Sequence, residues 1–218
     1  MTALVLRHPS AVLLLAQLGA VLAYPFLDSS RGGIAALNVI EMVVVGFALW
    51  AVRRTPALNV VATCLGLPAL VLSVLEAFLP GSETAVLLSA CFHAPFYFYV
   101  SYGQVRYLFD DERVTRDDLF ATAAAFTVVA WGFSYLYVLV QVLWPGSYTG
   151  PGSGHYDWFQ LLFLSFTTLS NTGLSDIAPT LAHARSLAII EEVTGVFYIG
   201  LVIARLVGLT LRSGTARD

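Results

Sequence analysis

Long runs of apolar residues, separated by short polar segments, dominate the pattern of the chain. A helix that crosses a lipid bilayer needs roughly 20 mostly apolar residues. Six runs are long enough, at about 10–28, 33–52, 57–79, 84–106, 117–144 and 183–211. The breaks between them carry Gly, Pro, Asp or Arg, which are common at helix ends and turns. The pattern therefore predicts an all-α integral membrane protein with six transmembrane helices.

A seventh apolar run differs from these six in its length. Tyr156–Leu169 has 14 residues, which is too short to span a bilayer but suits a helix that enters the membrane and turns back. It leads into a polar stretch, Ser170–Asp176, that has no helical pattern. Non-helical backbone at membrane depth is tolerated only where it is buried in protein or lines a wet cavity. The order helix, re-entrant half-helix, polar loop and helix predicts a pore module.

The composition agrees with a membrane protein and excludes several other classes. Hydrophobic residues make up 58% of the chain and charged residues 11%, whereas soluble domains carry about a quarter charged residues. The net charge of −3 argues against nucleic-acid binding. The sequence contains no nucleophile–base pair, Gly-rich phosphate loop or metal-ligand cluster. We therefore expect no enzyme activity, no cofactor and no bound metal, and only permeant ions as ligands.

The basic residues orient the chain in the membrane. All eleven are arginines, and with the N-terminus in the cytoplasm nine of them fall on or near the inner side. Only Arg31 and Arg185 fall outside. Because cytoplasmic flanks of membrane helices carry an excess of Arg and Lys, we predict a multi-pass protein of the plasma membrane with both termini in the cytoplasm.

Motifs around the predicted half-helix resemble those of a known family. Ser165–Leu169 reads SFTTL, Asp176–Pro179 reads DIAP, and Ile203–Gly208 in the last helix reads IARLVG. These segments resemble the pore of bacterial six-transmembrane, voltage-gated-like potassium channels. The first four helices match that family only in number and hydropathy. Because one half-helix cannot close a pore alone, the resemblance implies four identical chains around a central path, surrounded by membrane lipid.

The resemblance also divides the chain into four parts. Residues 1–109 are expected to form a four-helix, voltage-sensor-like membrane domain and 110–118 a cytoplasmic linker. Residues 119–212 are expected to form the pore domain, with outer helix, pore helix, filter and inner helix, and 213–218 a short cytoplasmic tail. Voltage sensors carry closely spaced arginines in their fourth helix, and this chain has none from Glu83 to Gln104. Conventional voltage gating is therefore not expected.

Three titratable residues in the first four predicted helices have more than one interpretation. Glu41 and Glu76 have no arginine ladder to pair with. They are candidates for protonatable packing groups, for contacts with His93, or for proton sensing. The sequence does not identify the gating stimulus.

The filter of the family, T-V-G-Y-G, is not preserved. Four copies of that loop present rings of carbonyl oxygens that replace the hydration shell of potassium. The aligned positions here are Asn171, Thr172, Gly173, Leu174 and Ser175. Gly173 retains one of the two glycines, whereas Ser175 would adopt the left-handed backbone of the second at a cost of about 1–2 kcal/mol. Together with Ser170, these residues are the predicted ion pathway, and we expect weak or altered potassium selectivity.

Two acidic residues are expected at the outer mouth of the pore. Rings of carboxylates concentrate cations in a narrow opening, and Asp176 and Asp157 lie on either side of the half-helix and filter. Asp157 is equally well explained as a surface carboxylate bonded to backbone. Arg185 lies on the same side and could neutralise Asp176.

The inner helix holds four further candidates. Glu191 and Glu192 are adjacent, so they point about 100° apart and cannot share one environment. Glu191 fits a packing role behind the filter, and Glu192 is a candidate for the pore wall or for pH sensing. Gly195 and Gly200 could form a gating hinge or allow close helix packing.

The sequence thus predicts passive conduction of monovalent cations through a homotetramer. Two alternatives remain open at this stage. The amide and hydroxyl groups of Asn171, Thr172 and Ser175 could coordinate an anion as readily as a cation. A non-conducting membrane sensor or assembly module with the same architecture is the other alternative.

Overall fold

The described residues form six α-helices and one short ribbon of two strands. A computed structural model describes residues 9–27, 56–79, 82–110, 116–152 and 154–215. The helices are α1 (Pro9–Leu27), α2 (Pro56–Phe78), α3 (Glu83–Asp110), α4 (Arg116–Leu143), α5 (Trp158–Leu169) and α6 (Ala182–Thr215). The strands β1 (Tyr148–Thr149) and β2 (Ala178–Pro179) pair antiparallel. This part of the chain is therefore all-helical apart from the ribbon.

Most of the predicted helices correspond to helices of the structure, with shifted ends. The predicted helix at 33–52 lies outside the described residues, as does Glu41 and part of the predicted linker and tail. The helix predicted at 84–106 is longer in the structure than in the prediction, because α3 continues to Asp110 beyond the apolar pattern. The half-helix predicted from Tyr156 begins at Trp158, because Asp157 forms its N-cap.

Four of the described helices are long and apolar enough to cross a membrane. Their candidate spans are Ser10–Leu27, Glu83–Arg106, Leu119–Leu143 and Ala182–Arg205. α2 contains a shorter apolar stretch, Val60–Glu76. α5 has 12 residues, which is about 18 Å at the helical rise per residue and well short of the hydrocarbon core. The apolar helices are those of a multi-pass membrane protein.

α4 is the central element of the fold. It packs against α1, α3, α5 and α6, and 72% of its candidate span is buried. Small residues, including Ala121, Ala124 and Ala125, are buried along it and let neighbouring backbones approach closely. Thr127 donates a hydrogen bond to Gln17 of α1 over 2.6 Å. Four of the other five described helices thus pack against α4, whereas α2 packs against α3.

An aromatic cluster joins the N-terminal helices to α5. The His93 ring of α3 stacks on Tyr135 of α4 with centroids 4.5 Å apart, and Tyr135 lies 5.8 Å from Trp158 at the start of α5. Tyr24 of α1 stacks on Phe159 of α5 at 4.0 Å. The first turn of α5 is therefore fixed against two other helices.

Hydroxyl groups hold the buried His93 ring. Its Nε2 lies 3.1 Å from Ser73 Oγ and its Nδ1 3.2 Å from Ser89 Oγ. The side chain of Glu76 also forms a hydrogen bond with Ser89. Glu76, for which contact with His93 is one of the interpretations above, thus shares Ser89 with His93 as a hydrogen-bond partner.

α6 differs from α4 in how little of it is covered. Only 17% of its candidate span is buried. Its exposed apolar residues lie on more than one side of the helix and include Ile189, Ile190, Val193, Phe197 and Ile203. A helix exposed on several sides within one chain has apolar surface available both for lipid and for other protein.

Candidate functional site

α5 and the loop that follows it form the candidate site, and the sequence defines the start of α5. Asp157 is the N-cap, and its carboxylate accepts a hydrogen bond from the backbone N–H of Gln160 over 2.8 Å. The Gln160 side chain accepts in return from the N–H of Asp157 over 2.9 Å. This reciprocal pair is a capping box. Asp157 thereby caps the start of α5, as a carboxylate bonded to backbone.

The residue before this cap is held by a buried amide of α4. Gln141 donates through Nε2 to the Tyr156 carbonyl and accepts through Oε1 from the Tyr156 N–H, both over 2.9 Å. Both residues are buried. The Gln141 amide therefore makes the two hydrogen bonds to the Tyr156 backbone that a neighbouring strand would otherwise make. It fixes the point at which the chain enters α5.

The C-terminal end of α5 is a Schellman motif. The N–H of Asn171 bonds to the Thr168 carbonyl over 2.9 Å, and the N–H of Thr172 bonds to the Thr167 carbonyl over 2.9 Å. Asn171 has the left-handed backbone that this motif requires, with φ of 56°. Asparagine is the most common residue there after glycine. The local sequence thus ends α5 at Leu169 and turns the chain into the loop.

The loop from Ser170 to Asp176 is non-helical, as predicted, but its backbone differs from the expected one. Asn171 is the only non-glycine residue of the described chain with a positive φ, and Gly173 has φ of 63°. Ser175 therefore does not adopt the left-handed backbone that a second glycine would have allowed, and its Oγ accepts from the Ile177 N–H over 3.1 Å. Leu174 is 74% exposed. The upper part of this loop is thus built differently from a T-V-G-Y-G loop.

A buried carboxyl group lies behind the loop. Glu191 of α6 has no exposed surface. Its Oε2 is hydrogen-bonded to the Tyr137 hydroxyl of α4, and its Oε1 to the Ser165 hydroxyl of α5. Ser165 Oγ also lies 2.8 Å from the Ala130 carbonyl oxygen. One side chain thus joins α4, α5 and α6, whereas the neighbouring Glu192 is exposed.

α6 passes very close to the end of α5 at a glycine. A Cβ atom on Gly195 would lie 1.8 Å from the Leu169 carbonyl oxygen, a distance that no side chain can occupy. Asn171 Nδ2 adds a hydrogen bond to the Glu192 carbonyl over 3.3 Å. Gly200, by contrast, has nothing within 4 Å of such a Cβ. Within one chain, close packing is therefore found at Gly195 and not at Gly200.

The ribbon fastens the segment that follows the loop. Tyr148 pairs with Pro179, and Thr180 donates through its N–H to the Ser147 carbonyl over 2.8 Å. The buried Tyr148 hydroxyl donates to the Tyr137 carbonyl over 3.3 Å, and burial raises the pKa of this hydroxyl above its ordinary range. The segment after α4 and the segment after the loop are thus held together.

The structure gathers some of the predicted site residues and separates others. Ser170–Asp176, Glu191 and Gly195 surround the C-terminal end of α5, and Asp157 lies at the opposite end. Arg185 donates to the Pro179 carbonyl over 3.3 Å, and within the described residues it forms no ion pair with Asp176.

Sequence reasoning missed two residues that position the site. Tyr137 and Gln141 lie inside the predicted fifth helix, within an apolar run. The available signal was their polarity, because polar groups inside membrane spans face protein or water and find partners there.

These features are those of a membrane protein with several apolar helices. α5 is too short to cross a membrane, packs against two helices that are long enough to span it, and is followed by a fastened non-helical loop. Residues 119–211 match the family model described as ion channel. The match includes α5, the loop and most of α4 and α6, and it covers less than half of the 218-residue chain. No curated protein and no solved structure matches the chain.

Proposed function

We propose that the chain is one subunit of a passive ion channel, with four copies placing their Ser170–Ser175 loops around a common axis. The observation that carries this proposal is α5 itself, a 12-residue helix fixed at both ends and followed by a polar loop, within the segment that matches an ion channel family. One such loop cannot enclose a path. Four can form a ring of oxygen ligands for an ion.

The distribution of exposed surface supports an assembly of several copies. Asn171, Thr172, Gly173 and Leu174 are all exposed in the single chain, although backbone at membrane depth needs protein or water around it. α6 is also mostly uncovered. Neighbouring subunits would cover part of both surfaces, and the remaining face of α6 would line the path.

The orientation of α5 favours cations over anions. The C-terminal end of a helix carries a partial negative charge of about half an elementary charge, and in α5 this end adjoins the loop. Anion sites use the opposite, N-terminal end of a helix, which Asp157 already occupies here. Asp176 adds an exposed carboxylate beside the loop. The Asn171 amide, a possible anion ligand, donates instead to the Leu169 and Glu192 carbonyls.

The loop sequence supports weak selectivity between monovalent cations. Only one glycine lies in the predicted filter, and Ser175 has no positive φ. The loop therefore has fewer positions at which the backbone can turn its carbonyls toward an axis. The side-chain hydroxyls of Ser170 and Thr172, 3.0 Å apart, are further ligands for a cation.

Planar bilayers containing the purified full-length chain test this proposal. With a KCl gradient, current should reverse at a potential of the sign expected for cations. A reversal of the opposite sign would establish the anion channel, and a sealed bilayer at every voltage and pH tested would establish the non-conducting module.

A rebuilt filter tests the identity of the ion pathway. The combined change Thr172→Val, Leu174→Tyr and Ser175→Gly restores the family residues but leaves Asn171 in its left-handed position. The ratio of potassium to sodium permeability should rise relative to the wild-type chain. An unchanged ratio in a conducting variant would show that ions do not pass this loop.

A further inference from the structure

Glu191 is a buried acidic residue at the junction of α4, α5 and α6, and the ion conduction proposed above gives its carboxyl group no part. It lies on α6, it has no exposed surface, and both carboxyl oxygens have hydroxyl partners. Its α5 partner, Ser165, is only four residues before Leu169, where α5 ends. The position of Glu191 is therefore coupled, through Ser165, to the part of α5 that supports the loop.

The charges around Glu191 do not balance a carboxylate. In the described part of the chain, its titratable neighbours are Tyr137, Tyr148 and Glu192. None of these is a cation, and Glu192 is another acid. An ionised carboxylate buried without a cation is very costly, and buried charges are normally paired. The composition of the site therefore favours a neutral side chain.

The hydrogen bonds around Ser165 point the same way. Ser165 has one hydroxyl proton, but its Oγ contacts two oxygens, the Ala130 carbonyl and Glu191 Oε1. The carbonyl can only accept. If Glu191 carries a proton on Oε1, this group donates to Ser165, and Ser165 donates to Ala130. The other oxygen, Oε2, accepts from Tyr137. Every donor then has one acceptor.

We propose that Glu191 is a positioning residue in the form of a neutral carboxylic acid, which joins Tyr137 to Ser165 and thereby fixes α5 behind the loop. The inference deepens the proposed function, because the position of α5 determines the geometry of the predicted filter. Its protonation state and its contribution to stability can be measured independently of conduction.

Infrared difference spectroscopy of the full-length chain in lipid vesicles tests the protonation state. The spectrum of the wild-type chain minus that of Glu191→Gln should contain the C=O band of a protonated carboxylic acid. Glu192→Gln makes the same chemical change one residue away at an exposed position. This variant should keep the acid band, so its own difference spectrum against the wild-type chain should not contain it. A difference spectrum with carboxylate bands instead of the acid band would overturn the proposal.

Ion flux and thermal stability of the same proteins test the positioning role. Glutamine reproduces a neutral acid, since its oxygen can accept from Tyr137 and its amide can donate to Ser165. Glu191→Gln should therefore keep the unfolding temperature, and its flux should stay within about twofold of wild type. Glu191→Ala removes the acceptor of the Tyr137 hydroxyl and breaks the link between Tyr137 and Ser165, and its flux should fall about tenfold or more.

Two further results separate this inference from the proposed function. If the wild-type chain conducts and Glu191→Gln fails as badly as Glu191→Ala, the neutral positioning role is wrong while the channel stands. If the wild-type chain does not conduct, the channel proposal fails, and the infrared and unfolding data still decide the role of Glu191. Should Glu191→Ala not fold, Tyr137→Phe removes only one donor and should lower the unfolding temperature relative to the wild-type chain. An unchanged unfolding temperature in Tyr137→Phe would contradict the role of this bond.

Discussion

The two ends of α5 are built in different ways. At its N-terminal end, the Gln141 amide clamps Tyr156, the Asp157 and Gln160 side chains cap each other, and Trp158 joins an aromatic cluster. At its C-terminal end, the contacts are mostly made by backbone, through the turn at Asn171 and the approach of α6. The loop that follows is exposed.

In the proposed channel, this difference separates what one chain builds by itself from what several copies would build together. Side chains of one chain complete the N-terminal end of α5, which therefore has a defined position within that chain. The C-terminal end of α5 is fixed by Glu191 and Gly195 on the side that faces α6, and the loop residues that follow it are exposed. In the proposed channel, this exposed surface would be the one that the subunits share.

The strongest test of the C-terminal end is Gly195→Ala. The new Cβ would fall 1.8 Å from the Leu169 carbonyl oxygen, so α6 and α5 must move apart. The cost should exceed the about 1–3 kcal/mol usual for an overpacked core, because the clash is with backbone. We expect a large drop in the unfolding temperature of the purified chain and loss of ion flux.

Gly200→Ala is the matched change on the same helix. Nothing lies within 4 Å of its added methyl group in the described chain, and alanine favours helix by up to about 1 kcal/mol over glycine. Its unfolding temperature should equal or exceed that of the wild type. Equal stability of Gly195→Ala and Gly200→Ala would show that the close approach at Leu169 is not present in the assembled protein.

The N-terminal end is tested by Gln141→Leu. This change removes both hydrogen bonds to Tyr156 and leaves a buried N–H and a buried carbonyl without partners. Each such group costs about 1–3 kcal/mol, so the unfolding free energy should fall by about 2 kcal/mol or more. Thermal unfolding in detergent measures the loss.

Gln160→Leu makes the same substitution at an exposed position of the adjacent capping box. It removes one exposed hydrogen bond, and its loss of stability should be clearly smaller. If Gln160→Leu and Gln141→Leu cost the same, the clamp on Tyr156 contributes nothing beyond helix capping.

The two ends also differ in how far the sequence predicts them. Length and hydropathy alone place α5 and its loop, because a 14-residue apolar run has few other uses in a membrane protein. The Asp157 and Gln160 spacing is itself a capping-box pattern, and it indicates a helix start at Trp158 that the apolar run alone does not. The partners of Glu191 and the approach at Gly195 depend on how three helices pack, and no local pattern encodes such distances.

The alignment with the potassium-channel filter illustrates the same limit. It treats Asn171 as a substitute for a threonine that lines the ion path. In the structure, the backbone of Asn171 closes the Schellman turn, and its side chain donates to carbonyl oxygens at one end of the loop. The role of this residue follows from a positive φ, which the resemblance did not indicate.

The smallest effect, and the finest test of the C-terminal end, is expected for Asn171. Asn171→Gly keeps the left-handed backbone without strain and loses only two long hydrogen bonds, of 3.3 and 3.4 Å. Asn171→Thr places a β-branched side chain at φ of 56°, which costs about 1–2 kcal/mol. The threonine variant should therefore unfold at a lower temperature than the glycine variant. The reverse order would mean that the side chain of Asn171, and not its backbone, holds the loop to α6. The Schellman turn would then not be the boundary between the fixed end of α5 and the exposed loop.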